Sequence, residues 1–189
     1  MSDVELIRDV ARGDRSAFET LYCRHAARLR RYLVTMLRQP EAVDETLNDV
    51  MFAIWRGAAR FDPQIGRPAT WFLAIAHNKV LNVFAQRRVR SAEIAFDPLE
   101  MSPHDPDTPQ RSLLARELGE SLNDALGLLS AEHRTVIELA FGQECSYQEI
   151  AAIAGVPVNT VKTRMFHARR RLADILRRQG VLDTNFPAP

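Results

Sequence analysis

The chain has 189 residues, 46% hydrophobic and 26% charged, enough to bury one large core or two small ones and ordinary for a soluble globular protein. Two cysteines are too few for a disulfide scaffold, no apolar run approaches the roughly 18 residues of a membrane span, and Asp3, Glu5, Arg8 and Asp9 interrupt any signal-peptide pattern, so a reducing, cytoplasmic setting is expected. The net charge of +1 conceals a division: residues 1–90 carry 15 Lys and Arg against 10 Asp and Glu, residues 91–133 carry 2 against 9, and residues 134–189 carry 8 against 5.

Two basic ends about an acidic middle suit a protein that meets a polyanion in two places. Val and Ile fall at helical spacing rather than in alternation, and no Asn-Gly or Asp-Gly hairpin occurs, so the fold class expected is all-α. Val4, Leu6, Ile7 and Val10 make a short first helix that stops at Gly13. Ser16 with Glu19 fits a capping box opening a long helix to about Arg38, with Phe18, Leu21, Tyr22, Leu29, Tyr32, Leu33, Met36 and Leu37 as its apolar positions. Arg24, Arg28, Arg30, Arg31 and Arg38 fall on its other faces, as a solvated surface would. Cys23, near His25, is expected to be buried or half-buried; two ligands on one helix do not make a metal site.

Pro40 opens the next helix, with Glu41, Asp44 and Glu45 near its positive end. Asn48 and Asp49 continue that polar face opposite Val43, Leu47, Val50, Met51, Ile54 and Trp55, an acidic strip suited to a basic protein partner. A loop from Arg60 to Pro68 precedes a helix over about 69–90. Its inner side takes Trp71, Phe72, Ile75, Ala76, Val80, Val83 and Phe84, while Asn78, Lys79, Asn82, Gln86, Arg87, Arg88 and Arg90 form a polar and basic face. Amides can read base edges and cations can hold phosphates.

Between residues 91 and 110 the pattern dissolves into prolines among acids, an extended, self-repelling linker. Leu114, Leu118, Leu122, Ala125 and Leu129 then mark one helix, and Ser130 caps another through Val136, Ile137, Leu139, Ala140 and Phe141 to Gly142. This division gives a first domain at 1–92, a linker at 93–111, a second domain at 112–179 and a tail at 180–189.

The most informative stretch is SYQEIAAIAGVPVNTVKTRMFHARRRL, residues 146–172. Ser146 with Glu149 forms a capping box, Ile150, Ala151, Ile153 and Ala154 recur at helical spacing, Gly155 supplies a left-handed corner, and Pro157 suits the first turn of a new helix. In that helix Val158, Val161, Met165, Ala168 and Leu172 make one buried stripe, and from Asn159 to Arg178 there are seven Lys or Arg against one acid, Asp174. Small corner, apolar underside and polar, cationic front are what a helix-turn-helix needs.

Nearly the whole chain resembles the bacterial sigma factors of the extracytoplasmic-function (ECF) group. VDETLNDVMFAIWRGAARFDPQIGRPATWFLAIAHNKVLNVFAQRR, residues 43–88, is similar to the family's region two, and HRTVIELAFGQECSYQEIAAIAGVPVNTVKTRMFHARRRL, residues 133–172, to region four. The resemblance implies a subunit that binds core RNA polymerase, at the clamp helices of its largest subunit and at its flap, and directs it to promoter DNA. It assigns Asp44, Glu45, Asn48 and Asp49 to the polymerase, and Phe61, Arg67, Asn78, Lys79, Asn82, Arg87 and Arg88 to the minus-ten element with an unstacked base. It assigns Asn159, Thr160, Lys162, Thr163 and Arg164 to the bases of the minus-thirty-five element, with His167, Arg170 and Arg171 nearer its backbone. It also implies an anti-sigma factor as controlling partner.

His167 departs from a usual Arg, Asn82 from a frequent Asp, and Glu45-Thr46 from Asp-Leu; a histidine is the weaker cation for a phosphate. The alternative function is a stand-alone helix-turn-helix regulator with an N-terminal dimerisation or sensor domain. With no phosphate loop, no H-E-x-x-H, no G-x-S-x-G and five scattered His, the chain is not expected to be an enzyme. No catalytic residue, metal, cofactor or small-molecule substrate is expected.

Overall fold

The computed structural model describes residues 1–93 and 113–181, with side chains described for 1–89 and 119–181. All regular structure among the described residues is helical, in two compact units. The first holds α1 (Asp3–Ala11), α2 (Arg15–Leu37), α3 (Pro40–Gly57) and α4 (Pro68–Glu93). The second holds α5 (Leu113–Gly127), α6 (Ala131–Ile137), and most of α7 (Tyr147–Ala154) and α8 (Val158–Arg178). The linker expected at 93–111 falls almost wholly outside the described residues, as do the side chains of Leu114 and Leu118 and most of the 180–189 tail.

Each helix of the first unit begins where its sequence satisfies or removes orphan backbone donors. Ser2 caps α1, and Glu5 returns the bond: the Glu5 N–H donates to Ser2 Oγ at 3.3 Å and the Ser2 N–H to Glu5 Oε2 at 2.6 Å. The start of α2 corrects the expected Ser16–Glu19 box. Asp14 is the cap, accepting from the Ser16 N–H at 2.8 Å and the Ala17 N–H at 3.2 Å, which places Ser16 inside the first turn. Asp takes the position because the chain turns at Gly13, one residue upstream, and its carboxylate suits the positive helix end. At the far end, Pro40 forces Gln39 into extended backbone (φ −119°, ψ 118°), and Arg38 adopts the left-handed conformation (φ 61°) that closes α2.

The core of this unit is made by Leu6, Ile7, Leu21, Leu29, Leu33, Met36, Ile54, Phe72 and Leu73, all nearly inaccessible to solvent. Burying each such side chain contributes about 1.5–3 kcal/mol. Tyr32 and His77 lie inside it and satisfy each other, Tyr32 Oη to His77 Nδ1 at 2.9 Å. α1 is tied to α2 by Asp3, which accepts from Arg24 at 2.9 Å and meets His25 Nε2 at 2.7 Å. Cys23 is exposed, correcting the expected burial, because its helical position falls outside the buried stripe of Leu29, Leu33 and Met36. Tyr22 is likewise exposed rather than on the apolar stripe.

In the second unit Arg134 holds the turn after α5, donating to the carbonyls of Leu126 (2.9 Å), Gly127 (2.8 Å) and Leu129 (3.2 Å) at and just beyond the helix end. Leu129 thus belongs to this turn rather than to α5, and Leu122 is 41% exposed. Ser130 caps α6, accepting from the His133 N–H at 3.3 Å. Beyond Ile137 the backbone widens into a π-type segment, Glu138–Gly142, where a continuous α-helix was expected; the Gln143 N–H bonds back to the Glu138 carbonyl at 3.0 Å and Phe141 turns outward. Gly142 has a steric reason: a Cβ there would run into the Glu138 carboxylate, which is bonded to Gln143 Nε2 at 3.0 Å.

The caps of α2 separate experimentally, because Trp55 and Trp71 both lie in the first unit and their fluorescence follows its unfolding alone. Asp14→Ala lowers the urea midpoint and Ser16→Ala leaves it nearly unchanged. The Ala17 N–H, then the Ser16 contacts, hold the Asp14 carboxyl below its ordinary value. Its contribution is therefore complete above the unfolded carboxyl's range, near pH 3.9, and is lost as pH falls through the folded-state value. An unaltered midpoint in Asp14→Ala contradicts this assignment.

Candidate functional site

α3 presents Glu41, Glu45, Asn48, Phe52 and Arg56 at spacings of three and four residues, a ridge opposite its buried stripe of Val43, Leu47, Val50 and Ile54. Asp44 and Asp49 flank it. Asp44 leans toward α2 and accepts from Arg30 at 3.1 Å; Asp49 leans toward α4 and accepts from Lys79 Nζ at 2.9 Å. Of the four α3 residues singled out from sequence, two are thus paired within the unit, and Glu45 and Asn48 are exposed with no side-chain hydrogen bond among the described residues. Phe52, absent from the sequence-based set, is 60% exposed with Arg56 over its ring at 5.8 Å. Its place seven residues after Glu45 was the signal that would have found it.

The residues singled out on α4 divide into two groups. Lys79, Asn82 and Arg87 line a groove of about 450 Å³ against Gln39, Glu41, Glu45 and Asp49, so that residues assigned to two different partners share one depression. Arg87 is half-buried and donates to Gln39 Oε1 at 2.6 Å; its desolvation lowers its pKa from the ordinary value without removing the charge. Arg88 and Asn78 are exposed outside it. The second group lies at the start of α4, where Phe61 packs on Trp71 with centroids 5.1 Å apart and Trp71 also meets Phe72 at 5.4 Å. Trp71 is half-buried, and at separations of seven and eleven residues it shares a stripe with Asn78 and Asn82. Asp62 folds the intervening loop by accepting from the Gln64 N–H at 2.9 Å, leaving Ile65 86% exposed and Arg67 exposed.

In the second unit Ser146 and Glu149 form the expected capping box, with Ser146 N–H to Glu149 Oε2 at 2.9 Å and Glu149 N–H to Ser146 Oγ at 3.3 Å. Gly155 closes α7 at φ 64°, and Pro157 is the residue before α8 rather than in its first turn. Val161, Met165 and Ala168 are buried against the unit; Asn159, Lys162, Thr163, His167, Arg170 and Arg171 are exposed, and Thr160 is half-buried. Arg164 is half-buried and close enough to Glu132 to help hold that carboxyl below its ordinary value, after the larger effect of the Glu132 backbone hydrogen bond. The Thr163 hydroxyl donates to the Asn159 carbonyl at 3.0 Å, which leaves its oxygen to accept. Lys162, Arg169, Arg170 and Arg171 have no acid partner among the described residues. Tyr147, Phe166 and Arg169, none of them in the sequence-based set, line the same side of the helix pair as Lys162.

Among the described residues no group of three or more His, Cys, Asp or Glu converges to hold a metal, and no helix is long and apolar enough to cross a membrane. The fold and these surfaces define an all-helical, two-unit helix-turn-helix protein. The family profile of Sigma-70 region 2 matches residues 21–90 and that of Sigma-70 region 4 matches residues 119–172. The chain is 30% identical over 177 residues to the ECF RNA polymerase sigma factor SigK of Mycobacterium sp. (strain JLS), covering 90% of this chain and 89% of that one. Its structure is similar to that of CnrH, solved in complex with the cytosolic domain of CnrY (TM-score 0.68, 27% identity, 93% and 97% of the two chains). It shares its fold with RpoE of Bartonella quintana, solved with the anti-sigma factor NepR (TM-score 0.66, 22% identity, 85% and 96% of the two chains). The chain belongs to the ECF RNA polymerase sigma factors of the sigma-70 family.

The Asp49–Lys79 pair is a surface ion pair, its side chains 60% and 32% exposed. A double-mutant cycle on Asp49→Asn and Lys79→Met, read by tryptophan fluorescence in urea, gives a coupling of about 0.2–1 kcal/mol that shrinks at high salt. A coupling insensitive to salt contradicts that description.

Proposed function

We propose that this chain joins core RNA polymerase in the cytoplasm through the α3 ridge, with Glu45 and Asn48 at its centre and Asp44 and Asp49 at its flanks, and brings it to promoters through both units. Clamp helices of the largest subunit and the flap are the polymerase surfaces that the family resemblance offers. The observation that carries the DNA half is the row of unpaired cations on α8, Lys162, Arg169, Arg170 and Arg171, beside the exposed Asn159 and Thr163. Unpaired cations enter a phosphate contact with no internal ion pair to break.

Within α8, Asn159, Thr160, Lys162, Thr163 and Arg164 are the proposed residues nearest the bases, with the Thr163 oxygen able to accept, and His167, Arg170 and Arg171 are those nearer the phosphates. In the first unit, Phe61, Arg67, Asn78 and Asn82 are the proposed minus-ten surface; unstacking one base costs a few kcal/mol, which an aromatic platform and phosphate contacts can offset without ATP. Lys79, Arg87 and Arg88 extend it as cations, the first two already paired. The role is non-catalytic. An anti-sigma factor is proposed as controlling partner, on the family resemblance and on the protein partner with which CnrH was solved.

Pull-down with core polymerase followed by runoff transcription tests the whole reading. Lys162→Ala with Arg170→Ala is expected to leave polymerase capture intact, lower promoter use at least tenfold, and reduce the salt slope of promoter binding by about one per phosphate contact removed. Glu45→Lys is expected to abolish capture. Tight binding of duplex DNA by a dimer in the absence of polymerase favours a stand-alone regulator instead.

A further inference from the structure

α3 ends on Gly57 at φ −89° and ψ −9°, a backbone state open to any residue, and glycine is a poor helix former. The reason for a glycine there lies in what a side chain would meet. A Cβ on Gly57 would stand 3.2 Å from Cζ2 and 3.8 Å from Cη2 of Trp71, the first closer than carbon atoms pack at ease. The indole so seated is tied to both ends of the loop that follows. A single 3-10 turn, Ala58–Arg60, comes directly after Gly57, and the Phe61 N–H closes it on the Ala58 carbonyl at 3.2 Å. That turn brings the Phe61 ring onto Trp71, centroids 5.1 Å apart. At the far end of the loop the Trp71 N–H donates to the Arg67 carbonyl at 3.1 Å. The loop from Phe61 to Arg67 therefore starts on the ring of Trp71 and ends on its backbone.

We infer that Gly57 is a positioning residue for promoter opening: its bare Cα lets the Trp71 indole sink against the end of α3, and that depth sets where Phe61 and the loop to Arg67 stand. The inference rests on the proposed minus-ten role of Phe61 and Arg67 and adds to it a residue that touches no DNA. A methyl added at Gly57 makes the indole give by a few tenths of an ångström. Trp71 is half-buried, so the ring yields toward solvent and carries Phe61 with it, while the ridge of α3 stays where it is.

The test uses polymerase holoenzyme assembled with the full chain and a promoter selected by it from a randomised library, with opening read by the permanganate reactivity of unpaired thymines. Gly57→Ala is expected to be captured by polymerase at the wild-type level and to open the promoter about fivefold less, on the scale where a 1 Å misplacement costs about a hundredfold. Its urea midpoint stays near that of the wild type, because the crowded contact is offset by the smaller entropy of an unfolded chain with alanine in place of glycine. Trp71→Phe gives up the ring atoms nearest the added methyl, and in that background Gly57→Ala is expected to cost less than about twofold. An equal cost in both backgrounds, or full opening by Gly57→Ala alone, overturns the inference. So does a loss of capture or of urea midpoint in step with the loss of opening, which would make the contact merely structural. Phe61→Ala separates the two layers: if it opens the promoter at the wild-type level, the minus-ten reading fails and the inference with it. If it is defective where Gly57→Ala is not, the inference alone fails.

Discussion

The corner between α7 and α8 is the constraint on which the second unit turns. Gly155 sits at φ 64°, a backbone state that costs a side-chain-bearing residue roughly 1–2 kcal/mol, and Pro157 follows in extended geometry. Between them they end one helix and start the next within three residues. The direction that results sets Val161, Met165 and Ala168 against the unit and leaves every residue at the complementary angles outside. The apolar stripe decides which face of α8 is buried, and the seven cations of the helix fall outside it. The capping box at Ser146 fixes the start of α7 and so the length of chain available to reach the corner.

Charge is allocated differently in the two units, and this separates what each can do. On the first, two of the candidate cations are already engaged, Lys79 with Asp49 and Arg87 with the Gln39 amide, as Arg30 is with Asp44, while Arg88 is exposed. On the second, Lys162 and Arg169 to Arg171 face solvent without an acid partner among the described residues. Phosphate can recruit the second set at the cost of counterions alone, whereas Lys79 and Arg87 must exchange one partner for another. The first unit therefore offers shape and aromatic surface, with Phe61 and Trp71 in contact and Asn78 and Asn82 further along the same helix.

Much of this was legible in the amino-acid sequence because helical periodicity and end signals are local. Pro40, Ser130, Ser146 with Glu149, and Gly155 announce their helix boundaries without reference to anything distant. Where reading failed, a competing local group or a tertiary contact decided. Asp14 and Ser16 both offer cap chemistry, and only the turn at Gly13 settles between them. The π-type segment after Ile137 depends on the Glu138–Gln143 contact, invisible to a 3.6-residue pattern. At the site, the pattern separated polar from apolar faces correctly but not the two sides of a polar face. It could not see that Asp49 bends to α4 and Asp44 to α2. Phe52 and Phe166 were legible by their spacing from Glu45 and Asn159, and both stand exposed among polar residues. An aromatic on a polar face breaks the binary pattern, and such breaks mark positions where solubility alone does not dictate the residue.

The shared groove between α3 and α4 bears on how two large ligands act on one small unit. Glu45 and Asp49 on one wall and Lys79, Asn82 and Arg87 on the other are close enough that a basic partner on the first and an acidic one on the second would each have to open the same ion pair. An exposed pair of this kind holds with no more than about 1 kcal/mol, less than a single charge-assisted hydrogen bond of about 1.5–3 kcal/mol to a new partner. Either ligand can therefore displace it, and displacement by one leaves the opposite charge free for the other. Arg87 stands apart, half-buried with a 2.6 Å bond to Gln39. Desolvation makes that bond harder to exchange than the exposed Asp49–Lys79 pair.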